Sequence, residues 1–332
     1  MSVGTAVPVF CVSVAASLVA SLVFARRLDE VSERFGASEG LHGILTALGA
    51  DAPEISTAVA AVAASHGRLG VGVIIGSNVF NLAALLGLSA VVVGHVAIHR
   101  HGLLFNGGVA LFVTGIAAAL VLGAIGGLPA TLLVVAVLGP YVFFLSIRRA
   151  RIERILPAGP ARRFLVAAVE EEIEDLRTDE PVPPASAADS LVLVGMLAAI
   201  VAASVGMVHA ATDLGRHWNV SDIVVGTLVL AAVTSLPNLL TAVRLALHKR
   251  GSAVASEALN SNSLNILAGL ALPALVVSLG PATGLERFSV WWLVGMTILA
   301  VTLTYVRRGL HRMDGAAIIL LYAAFAVVIA TR

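Results

Sequence analysis

Apolar residues fall in blocks of about 20, the length a helix needs to cross a bilayer. Ten blocks can be drawn, at 3–25, 37–65, 69–94, 102–123, 127–147, 189–211, 221–246, 252–279, 288–306 and 314–331. The pattern breaks sharply at Gly49-Ala50-Asp51-Ala52-Pro53-Glu54, where two carboxylates and a proline interrupt an apolar stretch. A carboxylate at bilayer depth costs about 2.5–3.5 kcal/mol on insertion scales. Proline removes an amide donor and clashes with the preceding turn. Both are tolerated only where broken backbone is packed in protein or lines a wet cavity. The segment therefore reads as an ion or substrate site at the midplane of an all-α polytopic membrane protein.

The connections between blocks give an orientation. Alternate connections hold Arg26, Arg27, Arg34, Arg100, Arg148, Arg149, Arg151, Arg154, Arg162, Arg163, Arg177, Arg244, Lys249, Arg250, Arg307, Arg308 and Arg312. The other face holds Arg68, Arg216, Arg287 and Arg332. The richer face is expected in the cytoplasm, with both termini outside. The first block has no basic residue before it and Arg26-Arg27 after it, the reverse of a cleaved signal, so it reads as a retained span. The long polar segment 148–188 is then a cytoplasmic linker. It runs from basic to acidic (Glu170, Glu171, Glu172, Glu174, Asp175, Asp179, Glu180) and ends at Pro181, Pro183 and Pro184. Residues 161–177 suit an amphipathic helix at the membrane surface. The acidic run lacks the ligand spacing of an EF-hand loop and reads as a solvated face.

Shifting the chain by 184 residues lays 47–90 on 231–274 without a gap. Pro53 meets Pro237, Thr57-Ala58-Val59 meets Thr241-Ala242-Val243, Ser77-Asn78 meets Ser261-Asn262, and Asn81 meets Asn265. Arg34 precedes the second block and Arg216 the seventh, so the two copies enter the membrane from opposite sides. Inverted repeats with interrupted helices meeting at the midplane are a secondary-transporter signature. The expected organisation is a first transmembrane repeat (1–147), the linker (148–188) and a second repeat (189–332), each with five helices.

Polar residues recur within the repeats: Asp51, Glu54, Ser77, Asn78 and Asn81 in the first, and Thr234, Ser235, Asn238, Ser261, Asn262 and Asn265 in the second. Ser77/Asn81 and Ser261/Asn265 are spaced four apart and share a helix face. With carbonyls freed by Pro53 and Pro237 they form an all-oxygen set suited to hard cations such as Na⁺ and Ca²⁺. Glu257 lies one turn before Ser261 and is either a third site carboxylate or a vestibule group. A lone Ser or Asn in a span is ordinarily helix–helix glue, but packing alone explains no pair of intramembrane carboxylates.

Composition narrows the class. Of 332 residues, 58% are hydrophobic and 12% charged, against about 25% charged in soluble domains. A formal net charge of +1 offers no basic surface for nucleic acid. Cys11 is the single cysteine, which excludes internal disulfides and cysteine metal sites.

Ala47-Leu48-Gly49-Ala50-Asp51-Ala52-Pro53-Glu54 with Gly76-Ser77-Asn78-Val79-Phe80-Asn81 resembles the first alpha repeat of the cation/calcium antiporter superfamily, the sodium/calcium exchangers. Thr234-Ser235-Leu236-Pro237-Asn238 with Ser261-Asn262-Ser263-Leu264-Asn265 resembles the second. The resemblance implies alternating access with cations bound between the repeats. It maps binding roles onto Glu54, Ser77, Asn81 and Ser261, with carbonyls near Ala47, Ala50, Ala231 and Thr234. The family usually has Thr-Ser at Ala50-Asp51, an acid at Asn238, and often aspartate at Asn265. One acid has thus moved into the first repeat, while the second has none at its centre. Two carboxylates side by side favour keeping one proton between them, which suits proton-coupled exchange.

The expected function is antiport of Ca²⁺ or a related cation against Na⁺ or H⁺, at Asp51, Glu54, Ser77, Asn81, Thr234, Ser235, Asn238, Glu257, Ser261 and Asn265. No cofactor and no enzymatic activity are expected. The partners are inorganic cations and the lipid bilayer, in a prokaryotic inner membrane. Alternatives are a monovalent cation/proton exchanger and a cation-binding sensor that does not transport. An intramembrane aspartyl protease would need Asp51 to meet a second acid such as Asp222, which the pattern places near the other end of a span.

Overall fold

The computed structural model describes residues 1–34, 39–147, 149–176 and 187–331. Helices α1 (Val3–Arg34), α2 (Glu39–Ala50), α3 (Ala52–Ala63) and α4 (Gly67–Asn81) open the chain. A π-helical stretch (Leu82–Leu88) carries α4 into α5 (Ser89–Val93), followed by strand β1 (His95–Ala97), α6 (Arg100–Val121) and α7 (Gly127–Ser146). The polar segment holds α8 (Arg149–Ile155) and α9 (Pro160–Leu176). The second half has α10 (Ala187–His217), α11 (Asp222–Val224), a π stretch (Val225–Leu230), α12 (Ala231–Thr234), α13 (Leu236–Leu247) and α14 (Gly251–Asn265). It closes with a third π stretch (Ile266–Ala271), α15 (Gly284–Arg307), β2 (Gly309–His311) and α16 (Arg312–Ala330).

Seven of these helical stretches are each long and apolar enough to cross a membrane, and the pair Asp222–Thr234 and Leu236–Leu247, bent by 46°, makes an eighth. The two other expected positions are filled by α2–α3, broken at Asp51, and by α14 with its π extension, which carries Glu257, Asn260, Asn262 and Asn265. Both are the polar, interrupted elements of the bundle. The short antiparallel ribbon β1–β2, with Val96 opposite Leu310, is not signalled by the hydropathy pattern.

The internal repeat is reproduced in backbone detail. α3 and α13 are both 12 residues long, α4 and α14 both 15. The turn residues Ser65 and Lys249 share a left-handed conformation (φ 65° and 61°). The breaks fall at Asp51 (φ −78°, ψ −9°) and Ser235 (φ −82°, ψ 0°). Pro53 and Pro237 lie in the first turn of the helices that follow, where a missing N–H loses no bond. Each proline therefore starts a new helix and aims that helix's N-terminus at the break.

α4 and its extension are deeply enclosed. In one 18-residue window of Gly67–Val93, 94% of residues are buried. α4 crosses the α11–α12 segment of the other half at near backbone contact. A Cβ on Gly76 would lie 2.4 Å from the Thr227 carbonyl oxygen, and one on Gly226 would lie 2.4 Å from that of Leu69. Overpacking of this kind costs about 1–3 kcal/mol. Gly76→Ala is accordingly expected to lower the melting temperature of the detergent-solubilised protein. An unchanged melting temperature would mean that the two helices have room to part.

The polar segment departs from the solvated face expected of it. Residues 177–186, including Asp179, Glu180, Pro181, Pro183 and Pro184, lie outside the described residues. Within α9, Glu170 and Glu174 are exposed as expected. Glu171 instead meets His101 Nδ1 at 2.7 Å and accepts from the Gly102 amide at 2.8 Å, and Glu172 is fully buried. The reason is positional. Glu172 falls on the same helical stripe as Leu165, Val166, Val169 and Ile173, so packing that stripe inward carries the carboxylate with it.

Candidate functional site

The two breaks meet at the centre of the bundle. Asp51 occupies the gap between α2 and α3, and Glu54 lies in the first turn of α3. A helix N-terminus carries partial positive charge, which favours a carboxylate there. Across the pseudo-twofold, Ser235 and Asn238 occupy the equivalent places at α13. Asp51, Glu54, Ser235 and Asn238 are all fully buried.

Hydrogen bonds join the two repeats directly. Ser261 Oγ donates to Asp51 Oδ1 at 2.6 Å. The Asn238 amide nitrogen lies 2.8 Å from Asp51 Oδ1, 3.1 Å from Glu54 Oε1 and 3.3 Å from Ser261 Oγ. The Asn265 amide donates to Glu54 Oε2, and the Asn81 amide to Ser261 Oγ at 3.1 Å. Ser235 and Asn81 lie beside Glu54. The Asn238 nitrogen has two hydrogens for three oxygens, so the centre holds more acceptors than donors.

That excess extends around it. Asp51 Oδ2, Ser77 Oγ, Asn81 Oδ1, Asn238 Oδ1 and Asn265 Oδ1 are buried with no hydrogen-bond partner among the described residues. Buried polar atoms are ordinarily paired, and unpaired ones call for an explanation. Oxygens sharing one dry centre without donors suit a bound cation.

Glu257 is not openly exposed: it is 8% exposed, and its Oε2 has no hydrogen-bond partner among the described residues. Even so, among the described residues no three His, Cys, Asp or Glu side chains converge tightly enough to hold a metal ion. Amides and hydroxyls must supply most of any ligand set.

The remaining residues sort by their contacts. Asn78 and Asn262 clasp each other: each amide donates to the other's backbone carbonyl, at 3.0 and 3.1 Å, across a separation of 184 residues. They mark the pseudo-twofold and tie α4 to α14. Thr234 donates its hydroxyl to the Leu230 carbonyl one turn back at 2.8 Å. The Ala47 and Ala231 carbonyls, expected to face the ions, accept backbone bonds from Asp51 and Ser235 at 2.9 and 3.1 Å. The Ala47 carbonyl keeps a second lone pair for a ligand, whereas the Ala231 carbonyl also lies 3.3 Å from the Thr234 hydroxyl. Asp222 meets His66 Nδ1 at 2.8 Å, at the far end of α4 from Asp51. That removes the second acid a protease reading requires.

Two polar contacts are invisible in the repeat. Thr57 Oγ1 donates to Ser204 Oγ at 3.1 Å, joining α3 to α10. Glu172 enters from outside both repeats; the one trace of it in the sequence is an acid on an apolar helical stripe.

Comparisons with known proteins agree with this architecture. The family described as "Sodium/calcium exchanger protein" matches residues 5–149 and 190–331. The putative antiporter CaxA of Alkalimonas amylolytica is 25% identical over 300 residues, covering 85% of this chain and 84% of that one. Among solved structures, the sodium-calcium exchanger NCX_Mj superposes with a TM-score of 0.64 at 22% identity, covering 99% of both chains. The H⁺/Ca²⁺ exchanger CAX superposes with a TM-score of 0.69 at 16% identity, covering 98% of this chain and 85% of that one. At such identities the superpositions speak for the fold. The family match spans both halves and both site-bearing repeats, and on it the chain belongs to the sodium/calcium exchanger protein family.

Proposed function

We propose that this protein is a secondary active cation antiporter that works by alternating access, carrying Ca²⁺ or a related hard cation against Na⁺ or H⁺. The observation that carries the reading is the cluster of unpaired buried oxygens around Asp51 and Glu54, drawn from helices of both inverted repeats. Such a centre binds a cation only while dry. Rocking one repeat against the other can then expose it to either side in turn. The loop charges support a cytoplasmic polar segment, α9 included, with both termini outside. The test is ion flux in proteoliposomes with the calcium, sodium and proton gradients imposed one at a time. Calcium binding without flux under any gradient would identify a sensor instead.

A second reading, exchange restricted to monovalent cations and protons, draws on the neutral side of the site. Asn238 and Asn265 bring amides where acids would raise the charge. Two charges at the core suit one divalent ion, or one monovalent ion and one proton. Asp51 and Glu54 share the single amide of Asn238, so with no metal bound their repulsion favours a proton on the pair. On the first reading calcium uptake is therefore expected to follow an imposed pH gradient in sodium-free vesicles; on the second, a monovalent cation moves against protons and calcium is not taken up. Uptake that tracks sodium and ignores the pH gradient would defeat proton coupling.

A further inference from the structure

The two halves differ in one place where the repeat predicts that they should match. In the first repeat, Gly72 and Gly76 bring α4 against the other half's α11–α12 segment. A Cβ there would lie 2.9 Å from the Ile223 carbonyl oxygen and 2.4 Å from that of Thr227. Their counterparts on α14 are Ser256 and Asn260. By symmetry these should face α2 at equally close range. Instead they face α9. Ser256 Oγ donates to Glu172 Oε2 at 2.7 Å, and the Asn260 amide to Glu172 Oε1 at 2.9 Å. The Asn106 amide of α6 also donates to Oε2, and Tyr141 Oη of α7 lies 3.2 Å from Oε1.

Glu172 is fully buried and makes no ion pair among the described residues. A buried carboxylate left without donors would not persist, so the pocket is built to receive it. Its receptors come from α6, α7 and α14, elements of both halves. Ser256 and Asn260 are the chain neighbours of Glu257 and Ser261, so α14 offers one face to Glu172 and the next, about 100° round, to Asp51. The pocket thus lies directly behind the central site on the side of the polar segment. On the opposite side, helix packing at the two glycines closes the way. On this side the equivalent gap is filled by a helix that belongs to neither repeat.

We propose that α9 is a removable stopper in the access path on the polar-segment side, seated by Glu172 in the Asn106–Tyr141–Ser256–Asn260 pocket. The inference rests on the alternating-access reading above. When the path opens, Glu172 leaves its donors and α2 and α14 stand apart. When it closes, the carboxylate returns and water is excluded from Asp51.

The test is sided thiol labelling of the full chain. Ser256→Cys is placed in a Cys11→Ala background, and a membrane-impermeant charged methanethiosulfonate is applied to vesicles of each orientation. Adding Glu172→Ala is expected to speed labelling from the polar-segment side at least about tenfold, since more than one hydrogen bond to a charged group is lost. Glu172→Gln, which keeps the shape and part of the bonding, should give a smaller rise and carries the comparison if the alanine variant does not purify as a monodisperse protein. Equal labelling rates with and without Glu172 overturn the proposal. So does a rise that is the same from both sides, which marks a loosened bundle rather than an opened path. Labelling reads the path and not the flux. A failure of the transport reading would show separately, as no flux in the parent protein under any imposed ion gradient.

Discussion

Glu54→Gln is expected to reduce gradient-driven cation flux by two to three orders of magnitude and to leave the protein folded. The carboxylate is fully buried and accepts from the Asn238 and Asn265 amides. Replacing it by an amide removes one of the two formal charges at the core while preserving volume. An opposite-charge contact at about 4 Å, taken at an effective dielectric of 20, contributes about 4 kcal/mol. At 1.4 kcal/mol per decade, that is close to a thousandfold in cation affinity. The fold should not suffer, because the substitution also relieves repulsion with Asp51, and Gln Oε1 can still accept from one of the two amides. The measurements are flux in proteoliposomes and the melting temperature in detergent. Lost flux with an unchanged or raised melting temperature places Glu54 at the ion. Normal flux would mean that the ions bind elsewhere.

Much of this centre is legible in the sequence because the repeat is written at a constant offset. Asp51, Glu54, Ser261 and Asn265 meet in space as their positions in the two copies require. Asn78 and Asn262 also recur at that offset, yet they clasp backbone rather than face the acids. The residue pattern marks both kinds alike. Only their place about the pseudo-twofold separates a group that meets the acids from a clasp. Thr234 is a similar case, since a hydroxyl in a helix has a carbonyl of its own turn within reach. Glu257 could not be placed from the pattern because its counterpart Val73 is apolar. Glu172 was hidden for a different reason. A run of acids reads as solvated whenever the helix face is unknown, and here one member of the run points the other way. The bilayer accounts for the rest. Hydropathy finds the apolar helices, whereas the helices that carry the site are the short, broken and polar ones.

Asn238→Asp is the sharper probe of ion choice. Asn238 is the counterpart of Glu54 across the pseudo-twofold, and its amide now serves Asp51, Glu54 and Ser261 together. Aspartate has the same shape, so the exchange changes only charge and donor count. Three neighbouring carboxylates then face one another without that amide. In the absence of cations the variant is expected to melt at a lower temperature than the parent, because a donor is lost and a buried charge is added. A divalent ion repays both effects. Calcium should therefore raise the variant's melting temperature by more than it raises the parent's, and the concentration for half-maximal calcium uptake should fall at least about tenfold. The opposite pattern is just as informative. If Asn238→Asp binds calcium no better and instead takes up an extra proton, seen as uptake that recovers only at higher pH, then the amide side of the site sets a monovalent preference. In that case the parent protein moves single charges against protons.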